Sequence, residues 1–78
     1  MAKIIVYSAP WCPWCKKTKQ FLDEHKVKYE ERDVDSNPKF HEELFKKSGQ
    51  MGIPVTDIDG QIIIGFDEKE LRRVLKIK

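Results

Sequence analysis

The apolar run Ile4-Ile5-Val6-Tyr7 stops at Ser8-Ala9-Pro10-Trp11, and a helical pattern begins directly afterwards. That junction constrains the fold more than any other stretch. A continuous β-prone run, without polar alternation, suits a strand covered on both faces. The helix is predicted from about Pro13 to Lys26. Pro13 is tolerated in its first turn, where a backbone N–H would be unpaired anyway. Cys15, Thr18, Leu22 and His25 recur at helical spacing with Phe21 beside them, while Lys16, Lys17, Lys19 and Asp23 take the wet side. Both cysteines of the chain, Cys12 and Cys15, lie at the joint between strand and helix.

The pattern continues in the same alternation. Val27 to Asp33 reads as a second strand, with Val27, Tyr29 and Glu31 on one face. The turn cluster Asp35-Ser36-Asn37-Pro38 opens a second helix whose apolar stripe is Phe40, Leu44, Phe45 and Ser48, with Gly49 as its stop. Gln50 to Pro54 is a connection. Val55 to Ile58 and Gln61 to Ile64 flank Asp59-Gly60, a strong short-range hairpin signal. Asp67 followed by Glu70 is a capping-box pattern for a last helix, with Leu71, Val74 and Leu75 facing inward. The order β-α-β-α-β-β-α implies a right-handed parallel crossover followed by an antiparallel hairpin. An α/β fold with a mixed sheet and helices on both faces is expected, as one domain spanning residues 1–78.

With 78 residues the chain buries only about 60% of its unfolded surface, so the core has to be compact. Its 15 basic and 13 acidic side chains are interspersed and leave a net charge of +2, which gives no basic stripe for a nucleic acid. The four apolar residues after Lys3 are too few for a signal-peptide core or a membrane span. A cytoplasmic monomer with no membrane attachment is the expectation. In a reducing compartment, two cysteines are more often catalytic or metal-binding than a structural staple. Closing so short a loop removes only about 2 kcal/mol of unfolded-state entropy.

With Cys12 at the helix start and Cys15 one turn inside, the two thiols lie within disulfide reach. The placement makes them unequal. Cys12 faces the positive end of the helix dipole and the free N–H groups of Trp14 and Cys15, with Lys16 and Lys17 nearby, all of which favour its thiolate. Cys15 is turned to the apolar side. Cys12 is therefore the candidate nucleophile, forming a mixed disulfide with a substrate that Cys15 resolves. A structural zinc site would need further ligands, and His25 and His41 are sixteen positions apart rather than three to five. Haem attachment would need His after Cys15, where Lys16 stands. Redox chemistry is the leading reading; a metal or cluster-binding module using the same thiols is the alternative, and an adaptor domain a third.

Cys12-Pro13-Trp14-Cys15 after a first strand, Ile53-Pro54-Val55 before a third, and Gly65-Phe66-Asp67 before the last helix resemble the glutaredoxin-like members of the thioredoxin superfamily. The resemblance spans nearly the whole chain. It implies a four-stranded mixed sheet with three helices and dithiol-disulfide oxidoreductase activity. It also implies a cis Ile53–Pro54 bond beside the cysteines, where the backbone of Ile53 can pair with an extended substrate. In such proteins backbone N–H groups at the positions of Phe66 and Asp67 hold a glutathione carboxylate, a task suited to a helix N-terminus. Asp67 also reads as an ordinary N-cap. Lys16 is positioned for the other carboxylate or is simply solvated. Trp11 and Trp14, flanking Pro13, line a substrate groove or shield Cys15. No tightly bound cofactor is expected, with glutathione as reductant or co-substrate. Two departures bear on the electron source. Ser8 stands where many glutaredoxins carry Lys, and Ile64-Gly65 where they carry a glycine pair. Gly65-Phe66 is also similar to the small redoxins that serve ribonucleotide reductase and take electrons from thioredoxin reductase. The expected partners are disulfide-containing proteins or glutathione mixed disulfides, with either donor as electron source.

Overall fold

The computed structural model describes residues 3–50 and 52–77, so Met51 of the expected Gln50–Pro54 connection lies outside the described residues. Strand β1 (Ile4–Ser8) leads through a turn into helix α1 (Pro13–Glu24), then β2 (Glu30–Asp33) and α2 (Pro38–Ser48). The hairpin β3 (Val55–Ile58) and β4 (Gln61–Ile64) follows, and α3 (Glu68–Leu75) closes the order. The sheet runs β2-β1-β3-β4. β2 is parallel to β1, with Val6 opposite Glu31, and the other pairings are antiparallel. This is the mixed four-stranded sheet with three helices that the element order and the resemblance imply.

All five residues of β1 are buried, because it is an inner strand with a hydrophobic cluster on each face. On one side Ile4, Val6, Ile58 and Ile63 meet Phe21 and Leu22 of α1 and Leu71 of α3, with Val74 and Leu75 packed alongside. On the other, Ile5, Tyr7 and Val55 meet Leu44 of α2, with Phe40 against them. Fully burying one such aliphatic side chain contributes about 1.5–3 kcal/mol, so these two clusters carry the fold. The Asp59-Gly60 turn has φ of 51° and 91°, the doubly left-handed conformation of a two-residue hairpin, which Gly60 adopts without steric cost. Among the described residues no helix is long and apolar enough to cross a membrane.

The expected boundaries shift between α1 and β2. α1 ends at Glu24 rather than Lys26, and β2 begins at Glu30 rather than Val27. The cause is local. Lys26 takes a left-handed φ of 56°, and the Val27 N–H turns back to the Leu22 carbonyl at 2.9 Å. Residues 27–29 are thereby spent on reversing the chain, although Val27 and Tyr29 still pack on the α1 side of the sheet. In α2, Phe40 and Leu44 face the core as expected, but Phe45 is exposed. Ser48 is half-buried, and its hydroxyl donates to the Leu44 carbonyl at 2.7 Å.

Candidate active site

The site lies where β1 feeds α1. A backbone bond from Cys12 N–H to the Ala9 carbonyl (3.2 Å) closes the turn, and Lys16 N–H to the Cys12 carbonyl (3.3 Å) begins the helix. Cys12 is the N-cap, in extended conformation, with Pro13 at the first helical position. Its sulfur occupies the place where a capping oxygen normally accepts, and the Cys15 N–H donates to Cys12 Sγ at 3.2 Å. Both cysteines are free thiols. They form a small buried cluster with Ala9, against which Ile53 packs. Cys12 keeps 3% exposure and Cys15 none. Burial, chiefly, together with the neighbouring Cys12 sulfur, pushes the Cys15 thiol up to about 12; the Ala9 backbone and the Lys19 ammonium oppose that rise.

Distant segments complete the surroundings. The Ile53–Pro54 bond is cis, and Pro54 is buried beside the cysteine cluster's partner Ile53. Trp14, Ile53, Pro54, Gly65 and Phe66 line an open groove of about 270 Å³. Trp14 stacks on Phe66 with centroids 6.5 Å apart, Phe66 meets Phe21 edge-on at 6.2 Å, and Lys17 sits 4.5 Å above the Trp14 ring. One wall of the groove is thus braced between α1 and the segment that joins β4 to α3. Trp11 and Trp14 are 67% and 55% exposed, a costly placement for indoles unless something covers them in use. Trp11 is tethered by its indole N–H to the Asp35 carboxylate in the β2–α2 loop.

The expected site residues fall into two groups. Cys12, Pro13, Cys15, Ile53 and Pro54 come together around the thiols, with Trp14 and Phe66 forming the groove beside them. Lys16 is exposed on α1 and lies outside the groove lining. Asp67 acts as the N-cap of α3, accepting from the Glu70 N–H at 3.2 Å, while the Glu70 carboxylate pairs with Arg73. Among the described residues, no group of three or more His, Cys, Asp or Glu side chains is arranged to hold a metal ion.

Sequence reasoning missed three features. Asp35 was only a turn residue, yet it anchors Trp11. Lys17, expected as a nearby charge favouring the Cys12 thiolate, sits over the Trp14 ring. Lys19, expected on the wet side, lies back along the sheet and pairs with the half-exposed Glu31 of β2 at 2.6 Å. The fully buried Ser8 hydroxyl donates to the same Glu31 oxygen at 2.9 Å. The one available signal was the spacing of Lys19 four positions after Cys15, which puts both on one helix face.

A family model for glutaredoxins matches residues 4–63. An uncharacterized glutaredoxin-like 8.6 kDa protein in the rubredoxin operon of Clostridium pasteurianum is 41% identical, the match covering 94% of this chain and 97% of that one. The glutaredoxin-like protein NrdH of Lactococcus lactis is 32% identical over 91% of this chain and 97% of its own. Among solved structures, a point mutant of the thioredoxin-like protein BC3987 superposes with a TM-score of 0.92 at 36% identity, covering all of both chains. Matched in sequence over most of its length and in fold over all of it, the chain belongs to the glutaredoxin family of the thioredoxin superfamily and is a dithiol-disulfide oxidoreductase.

Proposed function

We propose that the chain reduces protein disulfides and glutathione mixed disulfides through a reversible Cys12–Cys15 disulfide. The observation that carries this reading is the unequal setting of the two thiols. Cys12 caps α1 and receives the Cys15 N–H, so negative charge on its sulfur meets a donor and the helix N-terminus. Cys15 is sealed behind it, its thiol held protonated by burial until a disulfide partner is in place. Cys12 attacks a substrate sulfur and becomes a mixed disulfide; Cys15 then attacks Cys12 and releases the reduced substrate. The groove beside Cys12 receives the substrate chain, with the Ile53 backbone as a pairing edge, Trp14 and Phe66 as apolar walls, and the exposed Trp11 as a further apolar contact outside the groove. The N-terminal end of α3 at Phe66 and Asp67, with Lys16, would receive carboxylates when the substrate carries glutathione.

Replacing Cys12 with Ser is expected to abolish reduction of a mixed-disulfide substrate. Replacing Cys15 with Ser is expected to leave a covalent Cys12–substrate adduct, visible as an added mass that a reductant removes. Reductase activity persisting in Cys12→Ser would sink the reading.

Similarity to the NrdH protein of Lactococcus lactis along nearly its whole length favours a second reading of the electron source. Ser8 and Ile64 replace residues common in glutathione-dependent members, and Ser8 is already engaged with Glu31. On this reading thioredoxin reductase, rather than glutathione, regenerates the dithiol. Offering the oxidised protein the two donor systems in parallel, each with NADPH, separates the readings by which one consumes it faster.

A further inference from the structure

The resolving step asks a sealed thiol to become a nucleophile. Cys15 is fully buried, and the release of product from the mixed disulfide requires its sulfur to lose a proton. A charge that favours this would have to come from inside the wall behind Cys15. The nearest candidate is a linked cluster of three side chains on the α1 side of the sheet, Lys19, Glu31 and Ser8, of which Ser8 is fully buried and Glu31 is 45% exposed at its outer end. Lys19 stands one turn after Cys15 on the same face of α1, its side chain only 22% exposed. Its ammonium is held by Glu31 at 2.6 Å. Glu31 is fixed in turn by the hydroxyl of the fully buried Ser8, whose neighbour Ala9 packs directly on the cysteines. Long lysines on a helix surface ordinarily extend into water; this one is turned back toward the sheet.

We propose that Lys19, clamped by Glu31 and Ser8, supplies the positive charge against which Cys15 forms its thiolate in the step that releases product. The inference rests on the two-cysteine reading above and adds positioning residues to it. In that step the Cys15 thiol loses its proton and its sulfur bonds to Cys12 Sγ. The bond from Cys12 to the substrate sulfur breaks, and the departing thiolate takes up a proton. Two electrons pass from the cysteine pair to the substrate, and no other reactant is consumed. Glu31 and Ser8 act through Lys19. The charged and titratable groups around the cluster support the assignment. Around Cys15, burial and then the Cys12 sulfur raise its thiol, and the Lys19 ammonium, one turn along the same helix face, opposes that rise by a smaller amount. Lys19, Ser8 and Tyr29 face Glu31, and the Lys19 bond is the main reason the Glu31 carboxyl stays below its usual range, against the cost of burial. Glu31 therefore remains an anion that fixes Lys19 and is not a base competing for the Cys15 proton.

The test uses an aromatic disulfide probe, 5,5′-dithiobis(2-nitrobenzoate), followed by stopped-flow absorbance. Attack by Cys12 releases one coloured thiol, and resolution by Cys15 releases the second, so each step has its own phase. Lys19→Met is expected to slow the second phase about tenfold near neutral pH, as one lost pK unit of thiolate stabilisation would, and to move its pH midpoint upward. The first phase keeps its rate. Lys19→Arg restores the second phase, and Glu31→Gln slows it while leaving Lys19 in place. A second phase unchanged in rate and midpoint in Lys19→Met would overturn the inference. So would equal slowing of both phases, which marks general damage. Absence of any second phase in the unmodified protein would instead remove the two-cysteine reading itself.

Discussion

Gly65 joins β4 to the Phe66 wall of the groove with φ of +76°, and its N–H donates to the Pro54 carbonyl at 2.7 Å. A Cβ built there meets nothing within 4 Å, so replacement by Ala carries a conformational cost without a clash. Gly65→Ala is expected to lower stability by about 1 kcal/mol, read as a shift of the urea midpoint with unchanged slope. A neutral result would mean that this link adopts another backbone conformation. The residues that sequence reasoning reached at this scale share one property: their chemistry is set by near neighbours. Cys12, Pro13 and Cys15 are defined by the helix start, and Asp67 by the helix it caps. Pro54 and Phe66 were placed beside the thiols only through the family resemblance. What stayed hidden were partners brought together by tertiary pairing, namely Trp11 with Asp35, and Lys19 and Ser8 with Glu31. Nothing in the local pattern shows that Glu31 will arrive across the sheet edge.

Elements were readable where hydrophobic periodicity was strong and ambiguous where charge dominated. β1, α1 and the Asp59-Gly60 hairpin follow from apolar runs and a turn signal. β2 carries Glu30, Glu31, Arg32 and Asp33, a strand only because β1 pairs with it, so its start could not be read from composition. The same strand anchors α2. Arg32 reaches both Glu30 and Glu43, and Glu43 also accepts from the buried Tyr7 hydroxyl at 3.0 Å. Burial alone would raise the Glu43 carboxyl; the Tyr7 hydroxyl and the Arg32 guanidinium outweigh it and hold the carboxyl below its usual range. The sign of the consequence is fixed by linkage. A carboxyl depressed in the folded state adds stability above its unfolded value, about 4.3, and that contribution is lost as pH falls through the depressed folded value. Glu43→Gln keeps an acceptor for Tyr7 but removes the charge. The variant is expected to be less stable than the parent at pH 7, with the gap closing below about pH 4. Urea unfolding at the two pH values checks this, and a gap that persists in acid would contradict it.

At the scale of the whole molecule the two sheet edges are treated differently. The order β2-β1-β3-β4 leaves β2 and β4 outermost. β2 is guarded by four charged side chains in succession, the usual protection against pairing with another chain. β4 reads Gln-Ile-Ile-Ile, and Ile64 at its end is 54% exposed and borders the groove residue Gly65. The element order could be read from the chain, but which strands end up at the edges depends on β3 inserting beside β1, a pairing between residues about fifty positions apart. An open, apolar strand edge offers unpaired backbone groups to a second chain at high concentration. Ile64→Lys is expected to suppress the concentration-dependent rise in light scattering while changing stability by less than about 0.5 kcal/mol, because the side chain it replaces is already more than half in water. Equal scattering in parent and variant would show that the β4 edge is not the contact. A stability loss well above that bound would show that Ile64 packs more than its exposure indicates.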